Sequence, residues 1–187
     1  KFILDRIINQ LFKVNKTDIE MLNQTTMHLR RGDYVQKGKG WRLTKKYYID
    51  SIKLIDPNRQ YPVLIISDDP FATDSFTLYL NEMGYSVLKL PYDKDYDNIE
   101  ENVDYLKEYP GSSWKGYRSM QFSNSIRDFK TITQSKNIIM ANSTFSWWAT
   151  VLSDYIFNKE NKKVIYPDGW IGGLPDVLHE GNWIRMG

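Results

Sequence analysis

Pro62-Val63-Leu64-Ile65-Ile66-Ser67, closed at once by Asp68-Asp69-Pro70, is the stretch on which the fold turns. A continuous apolar run of this length between turn residues is the pattern of a strand buried on both faces, as in a parallel sheet covered by helices. Residues 71–82 then resume helical spacing, and 86–90 form a further strand candidate. Upstream, Thr44 is placed to cap a helix over 45–55, which Asp56-Pro57-Asn58 closes because proline biases its predecessor away from the helical region. Before that helix, Thr25-Thr26-Met27-His28-Leu29 reads as a short buried strand, and residues 2–13 as an amphipathic helix. A short helical turn over 18–23 completes a helical lead-in spanning 1–24.

The same texture continues toward the carboxyl end. Helices are expected over 123–134 and 144–157, strands over 137–141 and 163–166, and the tail ends in Trp183-Ile184. Residues 91–116, rich in Asp, Tyr, Gly and Pro, read as a long loop insertion with one helical turn near 99–107. Five β-α alternations without an internal repeat or linker predict one α/β domain over 1–187, built on an open parallel sheet of Rossmann type.

Composition narrows the function. The 187 residues carry 25 Lys+Arg against 23 Asp+Glu, no cysteine and two histidines. One domain with a substantial core is expected at this length. A net charge of +2 is far from the dense basic footprint of a duplex-binding protein, so nucleic acid is not an expected partner. Disulfides, cysteine-ligated metals and all-histidine zinc sites are excluded, whereas carboxylate-bound Mg²⁺ is not. The lack of cysteine fits a reducing compartment. The chain opens Lys1-Phe2-Ile3 with no signal segment and no apolar run near 20 residues, which reads as a processed chain or a piece of a longer one.

Ligands of open α/β sheets bind outside the carboxyl ends of the strands. Three chemically loaded clusters fall there, so they are expected to converge on one crevice. In His28-Leu29-Arg30-Arg31-Gly32-Asp33-Tyr34, strand alternation sends His28 and Arg30 to one face. Arginine offers forked, permanently charged donors to phosphate oxygens. The competing reading makes His28 a hydrogen-bonded core residue and pairs Arg31 with Asp33. Asn142-Ser143-Thr144-Phe145 opens a helix after a strand, and its first-turn N–H groups form an anion site. An ordinary cap, with Trp147 and Trp148 as core, is the alternative. Asp68 and Asp69 could bind a metal, hydrogen-bond a sugar or base, or cap the next helix. Asp128 is an acid in an otherwise apolar-periodic helix, solvated in the simpler reading.

Taken together, His28-Leu29-Arg30-Arg31-Gly32-Asp33-Tyr34-Val35, Ile66-Ser67-Asp68-Asp69, Asp128-Phe129, the run from Ile138 through Asn142-Ser143-Thr144-Phe145-Ser146-Trp147-Trp148, Val164-Ile165-Tyr166-Pro167 and Asn182-Trp183-Ile184 resemble the α-1,2-fucosyltransferases of glycosyltransferase family 11. The resemblance covers nearly everything from residue 26 on. It implies a GT-B-like enzyme of two Rossmann-like halves, this chain being the carboxyl-terminal nucleotide-sugar half. The implied reaction is inverting transfer of L-fucose from GDP-β-L-fucose to the 2-hydroxyl of a terminal galactose, with no metal and no cofactor. Arg30 is then the β-phosphate ligand with His28 beside it. Asn142, Ser143, Thr144 and Phe145 line the phosphate and nucleoside end, Asp128 reads guanine, and Asp68 and Asp69 belong to the donor site. Asp33 is a positional candidate for the base that accepts the acceptor's proton. The family's early Gly-Gly-Leu-Gly-Asn-Gln segment is absent, which makes the amino-terminal half an expected partner and Lys1 a truncation point. Other expected partners are GDP-fucose and a galactose-terminated glycan, in a bacterial cytoplasm with at most peripheral membrane contact. The alternatives are a fucosyltransferase of another linkage and a GDP-sugar-binding fragment without transferase activity.

Overall fold

A computed structural model describes residues 2–31, 43–68, 70–88, 121–157, 159–168 and 183–187. Its centre is a six-stranded sheet in the order β3-β2-β1-β4-β5-β6, and every neighbouring pair is parallel. The strands are β1 (Leu22–Leu29), β2 (Val63–Ser67), β3 (Val87–Leu88), β4 (Ser135–Ile139), β5 (Lys163–Pro167) and β6 (Trp183–Met186). The helices are α1 (Phe2–Phe12), α2 (Lys45–Ile55), α3 (Pro70–Glu82), α4 (Gln121–Gln134) and α5 (Thr144–Ile156). This is the Rossmann-like α/β sheet that the alternation predicts, with its order reversing between β1 and β4.

Two apolar layers sandwich the sheet. Met27, Leu29, Val63, Ile65 and Ile139 point toward α2 and α3, where Tyr47, Tyr48, Ile52 and Leu80 meet them. Leu64, Ile66, Ile138 and Met140 point the other way, against Ile132, Ala149 and the rings of Phe129 and Phe145. The period-2 alternation of each strand therefore feeds two cores. Residues of α1 pack by Ile8 and Leu11 onto Leu152 and Tyr155 of α5, in a third cluster outside the sheet.

Local rules set the element ends. The Thr44 side chain accepts from the Tyr47 N–H, which caps α2 as predicted. At the other end, Asp56 accepts from the N–H groups of Gln60 and Tyr61 and folds the turn into β2. Differences from the expected elements have identifiable causes. Strand β1 starts at Leu22, inside the stretch expected to be helical lead-in, where only Lys16–Asp18 form a 3-10 turn. Polar Gln24 and Thr26 hide that strand in the sequence; both are buried because they bond with Ser135 at the start of β4. β6 adds a sixth strand, which the sequence shows only as a tail. Trp148, expected in the core, is 53% exposed. It lines an open depression together with Leu4 and Ile7 of α1. The loop insertion expected at 91–116, with its helical turn, lies outside the described residues. Among the described residues, no helix is long and apolar enough to cross a membrane.

Candidate functional site

The carboxyl ends of β2, β1 and β4 lie side by side, and each carries one of the three clusters. Arg30 and Arg31 follow β1, Asp68 follows β2, and Asn142 and Ser143 follow β4. The reversal between β1 and β4 leaves a crevice at the sheet's carboxyl edge between their end loops, the usual ligand position in such sheets.

Asp68 organises the β1 end. One of its carboxylate oxygens accepts from Arg30 Nη1 at 2.6 Å, and the other accepts from the Arg31 backbone N–H at 2.8 Å. Ser67 adds a third tie by donating its hydroxyl to the Leu29 carbonyl at 2.9 Å. Each carboxylate oxygen of Asp68 thus serves an arginine of β1's end. The carboxylate is 11% exposed, whereas a third of the Arg30 side chain stays open. A guanidinium is a planar fork of five donors, so this clamp fixes the direction of the fork at the crevice.

His28 sits one step deeper. It is 5% exposed and aligned with Ile66 of β2, and its Nδ1 has no hydrogen-bond partner among the described residues. His28 is thus buried, as the simpler reading has it, while its Nδ1 lacks the hydrogen bond that reading expects among the described residues. Burial, and secondarily the charge of Arg30, lowers its pKa to about 3, so the ring is neutral at physiological pH. Its ring lies 5.6 Å from that of Phe145, which packs edge-on against Phe129 at 5.4 Å.

The end of β4 turns directly into α5. Ser143 caps the helix by accepting from the Phe145 N–H, and Ser146 donates to the carbonyls of Ala141 and Ser143. Asn142 and Ser143 are buried, while Thr144 is exposed at the first helical position. Asp128, on α4 beside Phe129, is partly buried and ion-paired with Arg127 at 3.1 Å. Burial raises its pKa, against the pull of Arg127. The solvated position of the simpler reading is thus replaced by a partly desolvated carboxylate paired with Arg127.

Arg30, one residue past the end of β1 at Leu29, bonds to Asp68, and its charge reaches the His28 ring. Two depressions flank the edge. An apolar one of about 410 Å³ lies on the α4/α5 side, lined by Phe129, Thr144, Phe145 and Trp148 together with Leu4 and Ile7 of α1. A cationic one of about 440 Å³ lies on the α2/α3 side, where Thr44, Lys45, Tyr48 and Phe76 join Arg30 and Arg31. Sequence reasoning missed Lys45 and Tyr48. The available signal was the Thr44 cap, since in a β-α unit the amino end of the helix returns to the strand's carboxyl edge. Asp33 and Asp69, the other candidates, lie outside the described residues.

Residues 92–164 match the family model described as Glycosyl transferase family 11. The chain is 28% identical to the O-antigen biosynthesis glycosyltransferase WbnK of Escherichia coli, over 96% of this chain and 50% of that protein. It is 24% identical to an alpha-1,2-colitosyltransferase of Escherichia coli, over 73% of this chain and 39% of that protein. The chain therefore spans half, or less, of the length of these curated relatives. No solved structure matches. The chain is thus similar to glycosyltransferases, through a family model matched over part of its length and through relatives under a third identical to it.

Proposed function

We propose that this chain is a glycosyltransferase domain of family 11 that binds GDP-β-L-fucose at the β1/β4 crevice and serves as the donor half of an α-1,2-fucosyltransferase. The observation that carries the reading is Arg30, clamped by Asp68 at the strand end next to the α5 amino terminus. In the proposed complex, Arg30 and the first turn of α5 hold the diphosphate, His28 backs it, and Phe145 and Asp128 serve the guanosine end. The amino-terminal half that the fucosyltransferase resemblance implies would complete the acceptor side.

Inverting transfer forms a bond from the galactose 2-oxygen to fucose C1 as the bond from C1 to the β-phosphate oxygen breaks. GDP departs with that electron pair, and the hydroxyl proton passes to a base, for which Asp33 remains the positional candidate. The sugar passes through an oxocarbenium-like state while negative charge builds on the diphosphate. Preorganised donors aimed at that charge lower the barrier, each by about 2.7–4 kcal/mol in comparable sites. Arg30, the α5 amino terminus and a neutral His28 supply such donors from protein groups, which supports a mechanism without a metal.

The relative named as an alpha-1,2-colitosyltransferase favours one second reading, in which the linkage is kept and the donor sugar is colitose. Calorimetry with GDP, followed by transfer assays on lactose with fucosyl and colitosyl donors, separates the two. Arg30→Lys is expected to weaken GDP binding about tenfold or more while hardly moving the melting temperature. Equal loss of both would assign Arg30 to folding, and no GDP binding by the unsubstituted protein would sink the reading altogether.

A further inference from the structure

We infer that the buried polar seam between β1 and β4 is a positioning device for the crevice, selecting the strand register that fixes Arg30 relative to the α5 amino terminus. The seam has two parts. Thr25 and Asn137 are register partners, and the Asn137 side-chain N–H donates to the Thr25 hydroxyl oxygen at 3.1 Å. Beside them, the Gln24 amide donates to the hydroxyls of Thr26 and Ser135 at 3.1 and 3.2 Å, and those two hydroxyls lie 2.6 Å apart. Ser135 also donates to the Thr131 carbonyl at 2.6 Å, so its own proton is committed and Thr26 is the donor between the two hydroxyls. All five residues are buried, none more than 8% exposed.

Apolar patterning alone leaves this register ambiguous. A slip of one residue turns every side chain to the wrong face, but a slip of two keeps each on its own face. Met27, Leu29 and Ile139 on one side, and Ile138 and Met140 on the other, would still meet apolar neighbours after such a slip. The seam would not. A slip of two toward the carboxyl end of β1 sets Asn137 against Met27 and strands buried polar groups. Tyr47 adds a bond from α2 to the Met140 carbonyl at 2.8 Å, but carbonyls recur along β4 and mark no register. The ties at the strand ends, Arg30 to Asp68 and Ser67 to Leu29, join β1 to β2 and so travel with β1. A two-residue slip would therefore move Arg30 about 6.6 Å relative to Ser143, at the usual strand rise, far beyond what a hydrogen bond tolerates. A diphosphate held from both sides would lose one of its holds, a consequence that rests on the donor reading of the crevice.

Two readouts separate the register from the ligand. Nuclear Overhauser contacts between the backbones of β1 and β4 read the pairing directly, and calorimetry with GDP reads the site. The test protein makes the whole seam apolar, with Gln24→Leu, Thr25→Val, Thr26→Val, Ser135→Ala and Asn137→Leu together. Its melting temperature is expected to stay close to that of the unsubstituted protein, because every bond loses both partners at once. Its strands are expected to show a second set of contacts displaced by two residues, and its GDP affinity to fall about tenfold or more. Returning Thr25 and Asn137 alone is expected to restore the single register and the affinity. The inference is overturned if the apolar seam keeps one register, if a second register appears with undiminished GDP affinity, or if the protein fails to fold, which would assign the seam to stability. Absence of GDP binding by the unsubstituted protein would sink the donor reading, while the strand contacts would still decide whether the seam selects the register.

Discussion

His28 shows how a single residue can be legible as chemistry and illegible as a state. Its position before Arg30 at a strand end marks it as a candidate, but its protonation is set chiefly by burial, and the ring it meets, Phe145, stands 117 positions away in the chain (145 − 28). Native His28 titrates near 3 instead of 6.5, so between those values the unfolded chain binds a proton that the folded chain refuses. Stability is therefore expected to fall as pH drops below about 6.5, by at most roughly 5 kcal/mol across the whole window. Denaturant titrations across the acid range read this directly, and His28→Gln should flatten that part of the curve. An unchanged slope in His28→Gln would assign the acid loss to carboxylates instead. In the proposed complex Asp128 serves the guanosine end. Its carboxyl is pushed up by burial, so GDP affinity should begin to drop at a higher pH than an ordinary aspartate would give, and Asp128→Asn should remove that dependence. The same affinity profile in Asp128→Asn would dissociate Asp128 from guanine.

At the scale of elements, apolar runs and caps were readable, and satisfied polar groups were not. β2 could be recognised from Val63-Leu64-Ile65-Ile66 and α2 from Thr44, because each signal is local. β1 and β4 begin earlier than their apolar cores suggest, since Thr26 and Ser135 bond at 2.6 Å and Asn137 donates to Thr25 at 3.1 Å. A pairing between residues more than a hundred positions apart leaves no periodic trace. Thr26→Val should cost about 0.5–1.5 kcal/mol in chemical denaturation, by removing one hydrogen bond each from Gln24 and Ser135, which still bond to each other. Adding Ser135→Ala takes away the second hydroxyl that Gln24 bonds to, so the double variant should lose more than the sum of the two single ones, and a purely additive result would show that the hydroxyls do not act together. Trp148 was misread for a related reason. Helical spacing identifies a face, but the packing of neighbouring elements decides how much of that face is covered.

Across the whole molecule, the parallel order that places three clusters on one edge also separates them widely in the chain. Arg30 and Ser143 stand 113 residues apart (143 − 30), and Asp68 comes from a third segment. The sheet order follows from alternation and the chirality of β-α-β units, so the edge was foreseeable, whereas Lys45, Tyr48 and the division into two depressions depend on side-chain directions past the strand ends. That architecture has a kinetic meaning. β1 must find β4 across a loop of about a hundred residues, a costly closure typical of slow-folding, non-local topologies. The crevice is consequently among the last features to exist during folding and among the first to be lost when β1 and β4 part. A nucleotide spanning that seam would act as a clasp, lengthening the lifetime of the native state by slowing its escape while barely quickening its formation.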